Sequence, residues 1–303
     1  MRAGGTAAAR LTRLAGSAAS CLLLAACSLS PPSSASPAPP TPSAPSAPSA
    51  PSAPPASSAS PASQVRHVVR PVIHEVVGLG DSVPAAGACS CTSFVTLLAQ
   101  RLSDRRDVPA VTERNQAVNG LTSQGLLGMV TATHLQSGPG TVILVTIGAN
   151  DFDSSQLTRP ACAGPDGLAC FHSGLVALAQ HLEATLRLLL PPGKAHGLVL
   201  LTGYWNVFLD GSVGRARGPD YVAGSLALTS AVSGVIRSSA ENAGQTYVDL
   251  DGAFHGPGVA EDDLLATDGD HLSAAGHEVV AALLDGVVRR LLRSERKSGT
   301  GKG

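Results

Sequence analysis

Val76-Val77-Gly78-Leu79-Gly80-Asp81-Ser82 is a short apolar run that breaks at a glycine, an aspartate and a serine. A run this brief is too short for a helix, and its valines suit a strand buried on both faces. The pattern recurs. Residues 142–147 lead into Gly148-Ala149-Asn150-Asp151, residues 198–202 into Gly203-Tyr204-Trp205-Asn206, and residues 246–250 into Asp251-Gly252. Between these runs, residues 92–102, 123–135, 171–190, 221–240 and 274–292 carry apolar side chains at helical spacing. Ser273 stands where the last of them needs an N-cap. Buried strands alternating with helices predict an α/β fold, a three-layer α/β/α sandwich around a mostly parallel sheet.

Outward from this core the composition changes abruptly. Residues 1–26 carry Arg2, Arg10 and Arg13, no acid, and an apolar run at 14–26. They are expected to be a signal peptide, the apolar part being too short to span a bilayer. Leu24-Ala25-Ala26-Cys27 resembles a bacterial lipobox, which implies that Cys27 becomes the lipidated first residue of an exported protein at the cell surface. Residues 27–64 are almost entirely Pro, Ser and Ala and hold 12 of the 22 prolines. Such a segment has nothing with which to build a core and is expected to be a disordered tether. Residues 65–293 are expected to form one folded domain, and 294–303 a flexible basic tail.

The formal net charge of −1 hides this unevenness. Residues 65–288 hold 12 basic and 21 acidic side chains, whereas 289–303 hold six basic residues and Glu295 alone. So acidic a body is a poor partner for phosphate backbones, which argues against nucleic-acid binding. No stretch is long and apolar enough for a spanning helix, so the expected link to a membrane is the lipid anchor only.

In open parallel sheets, ligands bind at the carboxyl ends of the strands. Ser82 follows one strand end, Asn150 another, and Asp268-Gly269-Asp270-His271 stands just before the last helix. A serine exposed on a strand-to-helix turn, with a histidine as base and an aspartate to orient it, is the set that nucleophilic ester hydrolysis requires. Asn150 offers an amide donor for an oxyanion. Taken singly, Ser82 reads as a helix cap and His271 as a residue preceding a helix.

Four blocks in order resemble the GDSL/SGNH-type serine hydrolases. They are Gly80-Asp81-Ser82-Val83, Asn115-Gln116-Ala117-Val118-Asn119-Gly120, Gly148-Ala149-Asn150-Asp151 and Asp268-Gly269-Asp270-His271. The resemblance implies an SGNH, flavodoxin-like sandwich and an esterase or lipase that needs no metal and no cofactor. It implies Ser82 as nucleophile, His271 as base and then acid, and Asp268 as the carboxylate that orients His271. The oxyanion hole would comprise the Ser82 and Gly120 N–H groups and the Asn150 side chain. Asp270 adjoins His271, but neighbouring side chains tend to diverge, so Asp268 is the expected partner. The glycine expected four residues after the serine is Ala86 here, with Gly87 next. The substrate would be a lipid-like ester or an acylated carbohydrate. The alternatives are a carbohydrate O-acetyl esterase and a catalytically idle surface-binding lipoprotein.

Besides Cys21 in the leader and Cys27, four cysteines remain. In an exported chain an even number argues for disulfides. Cys162–Cys170 closes a short loop and is the first choice, leaving Cys89 with Cys91; the other pairings would join the two loops across the active-site mouth. Neither spacing fits a zinc motif. Tyr204, Trp205 and Phe208 follow a strand end and are expected either to line the substrate pocket or to fill the core.

Overall fold

Glu75–Gly80 forms the first strand, β1, and Thr141–Thr146 forms β3 beside it, paired in parallel from Glu75↔Thr141 to Gly80↔Thr146. The computed structural model describes residues 72–104 and 110–299. The expected signal peptide, the tether and Cys27 lie outside the described residues. The remaining strands are β2 (Thr112–Asn115), β4 (Leu198–Thr202) and β5 (Thr246–Val248). All pairings are parallel, in the order β2-β1-β3-β4-β5.

Each parallel connection needs a crossover, and helices supply them. They include α1 (Ser82–Ala85), α2 (Phe94–Ser103), α3 (Ser123–Thr133), α4 (His172–Leu189), α5 (Gly211–Arg215), α6 (Pro219–Asn242), α7 (Asp251–Phe254), α8 (Glu261–Leu264) and α9 (Ala274–Gly299). α2 packs on α9, while α3, α4 and α6 pack in succession, giving an α/β sandwich of the expected class. β3 is buried along its whole length, and Val76, Val77 and Leu79 of β1 are equally enclosed.

The order of the strands decides where a ligand can sit. After β1 the chain moves outward to β2, then returns past β1 to β3. The carboxyl ends of β1 and β3 therefore flank the topological switch point, where a crevice opens. Ser82 follows β1 and Asn150 follows β3.

Two elements differ from the sequence expectation. β2, Thr-Glu-Arg-Asn, was not visible as an apolar run because it is an edge strand with three exposed residues. It is held by pairing with β1 and by Val118 N–H donating to Gly80 O beyond its end. The last helix continues to Gly299 rather than stopping near 292. Ser294-Glu295-Arg296-Lys297 contains good helix formers and no proline, so nothing there stops propagation. Cys89 is joined to Cys91 and Cys162 to Cys170, with Cα–Cα separations of 5.1 and 5.7 Å.

Candidate active site

Asp81 caps α1. Its backbone is extended and its carboxylate accepts from Val83 N–H at 3.0 Å. This turns the chain sharply at the end of β1 and leaves Ser82 half-buried on the first helical residue. Gly80 makes the turn possible. Its φ of +137° suits glycine, and a Cβ there would collide with the Thr146 carbonyl of β3. Asn115, at the end of β2, braces the turn from the other side by donating to Pro84 O at 2.7 Å.

His271 arrives from the opposite end of the chain. Ala266 N–H donates to His271 O, Ser273 N–H donates to Leu264 O, and Gly269 N–H donates to Ala266 O with φ +80° at Gly269. The result is a tight antiparallel loop just before α9. Asp210 N–H donates to Gly269 O at 2.7 Å and ties this loop to the segment after β4. Ser273 caps α9, its Oγ accepting from Gly276 N–H at 3.2 Å.

The loop sets His271 Nε2 2.8 Å from Ser82 Oγ, across 189 residues of sequence. On the other side of the ring, Nδ1 lies 2.9 Å from Asp268 Oδ2. Asp268 Oδ1 meanwhile accepts from the His271 N–H at 3.2 Å, so this carboxylate holds both the backbone and the ring of the histidine. The expected serine, histidine and aspartate are therefore brought together.

One expectation is corrected. Asp270 does not diverge from its neighbour: its Oδ1 lies 2.8 Å from the same Nδ1. The tight turn at Gly269 curls both carboxylates toward the ring. This buried oxygen has no partner other than the ring. The Asp270 carboxylate first, and Asp268 after it, favour the imidazolium against the cost of its burial, and its pKa is pushed up to about 9. Burial raises the Asp268 pKa, but bonds from His271 outweigh this and hold it below the ordinary value.

Behind the serine, Asp81 is fully buried, and desolvation pushes its pKa up to about 6. The Tyr204 hydroxyl donates to Asp81 Oδ2 at 2.5 Å, and Ala149 N–H donates to the same hydroxyl at 3.4 Å. Tyr204 thus links the turn after β1 to the turn after β3. Of the two readings open for these aromatics, pocket or core, Tyr204 and Trp205 take the second. Tyr204 and Trp205 are fully buried and do not line the cleft around Ser82. Trp205 stacks on Phe254 at 4.8 Å instead. Of the three aromatics that follow β4, only Phe208 reaches the cleft.

Gly120 and Asn150 border the same cleft as Ser82 and His271. The Ser82 and Gly120 N–H groups have no hydrogen-bond acceptor among the described residues. One Asn150 Nδ2 hydrogen goes to Leu121 O at 3.1 Å, which orients the amide and leaves its second hydrogen unused there. Asp151 accepts from the N–H and hydroxyl of Ser123, fixing the turn that carries Asn150 against the start of α3. His181 shares that hydroxyl at 2.8 Å, a structural contact that no sequence signal marked.

The cleft encloses about 590 Å³. Val83, Ala149, Phe152, Val207, Phe208 and Leu209 give it apolar lining, and Asn119, Ser154, Ser155 and Arg217 polar lining. The Arg217 guanidinium lies 4.9 Å from the Tyr221 ring centre, and the Tyr221 hydroxyl donates to Phe208 O.

Among the described residues, two groups bring three possible metal-ligand atoms within 4.8 Å of one another. In Asp268, Asp270 and His271 both carboxylates face the Nδ1 proton of the ring. In Cys89, Cys91 and His277 the two sulfurs are bonded to each other, so no thiolate is offered to a cation. His277 accepts from Phe94 N–H at 3.2 Å, and burial lowers its pKa to about 4.

A hydroxyl hydrogen-bonded to an imidazole, whose far nitrogen is held by carboxylate, is equipped for proton transfer and attack on an acyl carbon. Amide donors gathered on one side suit a developing oxyanion. The family model described as the GDSL-like lipase/acylhydrolase family matches residues 79–279. No curated protein matches the sequence. Among solved structures, the chain is similar to a phospholipase A1 from Streptomyces albidoflavus NA297, with a TM-score of 0.53 and 20% identity over 71% of this chain and 99% of that one. It is also similar to an extracellular lipase from Streptomyces rimosus, with a TM-score of 0.50 and 20% identity over 70% of this chain and 99% of that one. At such identity the likeness is one of fold.

Proposed function

The chain belongs to the GDSL-like lipase/acylhydrolase family, and from that premise we propose that it is an exported carboxylic ester hydrolase working through an acyl-serine intermediate. The observation that carries this reading is the 2.8 Å approach of His271 Nε2 to Ser82 Oγ at the switch point of the sheet. Ser82 Oγ attacks the ester carbonyl carbon while His271 Nε2 takes its proton. The oxyanion so formed is received by the Ser82 and Gly120 N–H groups and the free Asn150 amide hydrogen. The tetrahedral intermediate collapses, the bond to the alcohol oxygen breaks, and His271 returns its proton to that oxygen. Water then attacks the acyl-serine with His271 again as base, the acid leaves, and Ser82 recovers its proton.

The apolar lining of the cleft, suited to an acyl chain, together with the Arg217 guanidinium that borders it, supports a lipid-like substrate. Export and anchoring rest on the cationic, apolar leader and on the lipobox-like Leu24-Ala25-Ala26-Cys27. Turnover of a p-nitrophenyl ester series by the protein and by Ser82→Ala tests the whole reading. Rates that rise with chain length, abolished in a variant that still folds, are the expected result. Cleavage of acetate alone would favour a carbohydrate O-acetyl esterase, and full activity in Ser82→Ala would remove the nucleophile assignment.

A further inference from the structure

We infer that Asp270 is a second positioning residue for His271, so that the base is held by a pair of carboxylates at Nδ1 rather than by Asp268 alone. The inference rests on the proposed roles of Ser82 and His271. Its geometric basis is that Asp268 Oδ2 and Asp270 Oδ1 lie 2.9 and 2.8 Å from one nitrogen.

Three observations carry it. The first is that Asp270 Oδ1 is buried with no partner other than the His271 ring, although a buried carboxylate oxygen left unpaired is costly. A cation at Nδ1 is what compensates it, and protonation of the ring during attack supplies one. The second is that the two carboxylates are held differently. Asp268 Oδ1 is committed to the N–H groups of Asp270 and His271, so Asp268 fixes the loop as well as the ring. Asp270 makes no such backbone bond and borders the open cleft, which leaves it free to follow the ring as the proton moves. The third is that Gly269, between them, is pinned by Asp210 N–H and lies against Val213, so the turn that presents both carboxylates is fixed.

The proton balance is unchanged from a single-aspartate arrangement. Nδ1 keeps its hydrogen, Nε2 gains the Ser82 proton, and the imidazolium forms between two negative charges. Other titratable or charged groups are directed differently. Asp81 lies behind Ser82 and is bonded to Tyr204. Arg217 and Tyr221 border the cleft from the segment after α5 and from α6, paired with each other. The Asp210 carboxylate faces His255 at 2.8 Å. The ring of His277, one turn into α9, faces Phe94.

The arrangement predicts redundancy and a pH signature. In the full chain, Asp268→Asn, Asp270→Asn and the double variant are compared for kcat/KM against pH on a short p-nitrophenyl ester, with thermal unfolding as the check on folding. Loss of the sole orienting carboxylate in a serine triad costs about 10⁴-fold. Each single variant here is expected to lose far less than that, and the double variant far more than the product of the two losses. Asp270→Asn is also expected to move the acid limb of the profile down by about 1 to 3 pH units, because one charge favouring the imidazolium is gone. A merely structural role would lower the rate without moving the limb. If Asp270→Asn unfolds, Asp270→Ser is the second variant. An unshifted limb in Asp270→Asn, or a double variant no worse than Asp268→Asn, overturns the inference. Retained activity in His271→Ala would instead overturn the reading beneath it.

Discussion

The His271 ring is the point at which activity and stability oppose each other. As a base it must be neutral, yet its pKa stands at about 9. The acid limb of kcat/KM is therefore expected near pH 9, with activity rising through the alkaline range; a limb near the ordinary histidine value of about 6.5 would contradict the carboxylate pair. For stability the sign is opposite. A pKa raised on folding contributes in full below 6.5, and that contribution is lost as pH rises through about 9. Tyr204 poses a separate test behind the serine. Its hydroxyl lowers the burial cost of the Asp81 carboxylate, so Tyr204→Phe is expected to destabilise the fold by about 1 to 3 kcal/mol. The loss should be greater at pH 8 than at pH 5, because Asp81, with its pKa at about 6, is ionised at the higher pH and needs the donor then. Thermal unfolding at the two pH values measures it, and equal losses would count against the Tyr204–Asp81 bond.

At the scale of the element, the turn after β1 carries Ala86 where the family pattern has glycine, and the backbone explains the cost. Ala86 ends α1 in the left-handed region with φ +55° and ψ +34°, a conformation that suits glycine. Ala86→Gly is expected to raise stability by about 0.5 to 1 kcal/mol in denaturant unfolding, and a loss of stability would mean that the Ala86 methyl packs usefully. The same turn shows what could be read in advance. Buried strands such as β3 and β4 were visible because they are apolar throughout, and the long helices because their spacing repeats over many turns. β2 was invisible because an edge strand exposing Glu113 and Arg114 has no apolar signature. The short α5, α7 and α8 lack the length for periodicity to register. Ser82, His271 and Asp268 could be placed because their spacing to strand ends and to the last helix is local. The inward turn of Asp270 could not, because it depends on Gly269 being held by a segment some sixty residues earlier in the chain. Nor could the burial of Tyr204, which depends on the identity of the residue facing it across β3.

For the whole molecule, the distribution of charge bears on how it is held at a surface. With 12 basic against 21 acidic side chains over 65–288, the catalytic body gains little from an anionic bilayer. Among the described residues no helix is long and apolar enough to cross a membrane. The anchor proposed at Cys27 makes association hydrophobic and rests it on that one residue. Expression of the full chain in a bacterium, followed by membrane fractionation, decides the matter. The protein is expected in the membrane fraction and resistant to a wash at about 1 M salt, which shortens electrostatic range to about 3 Å. Cys27→Ser is expected in the soluble fraction with its esterase activity intact, since the cleft owes nothing to Cys27. Release of the unaltered protein by salt, or retention of Cys27→Ser, would mean that the chain is held through its folded surface or not processed at Cys27.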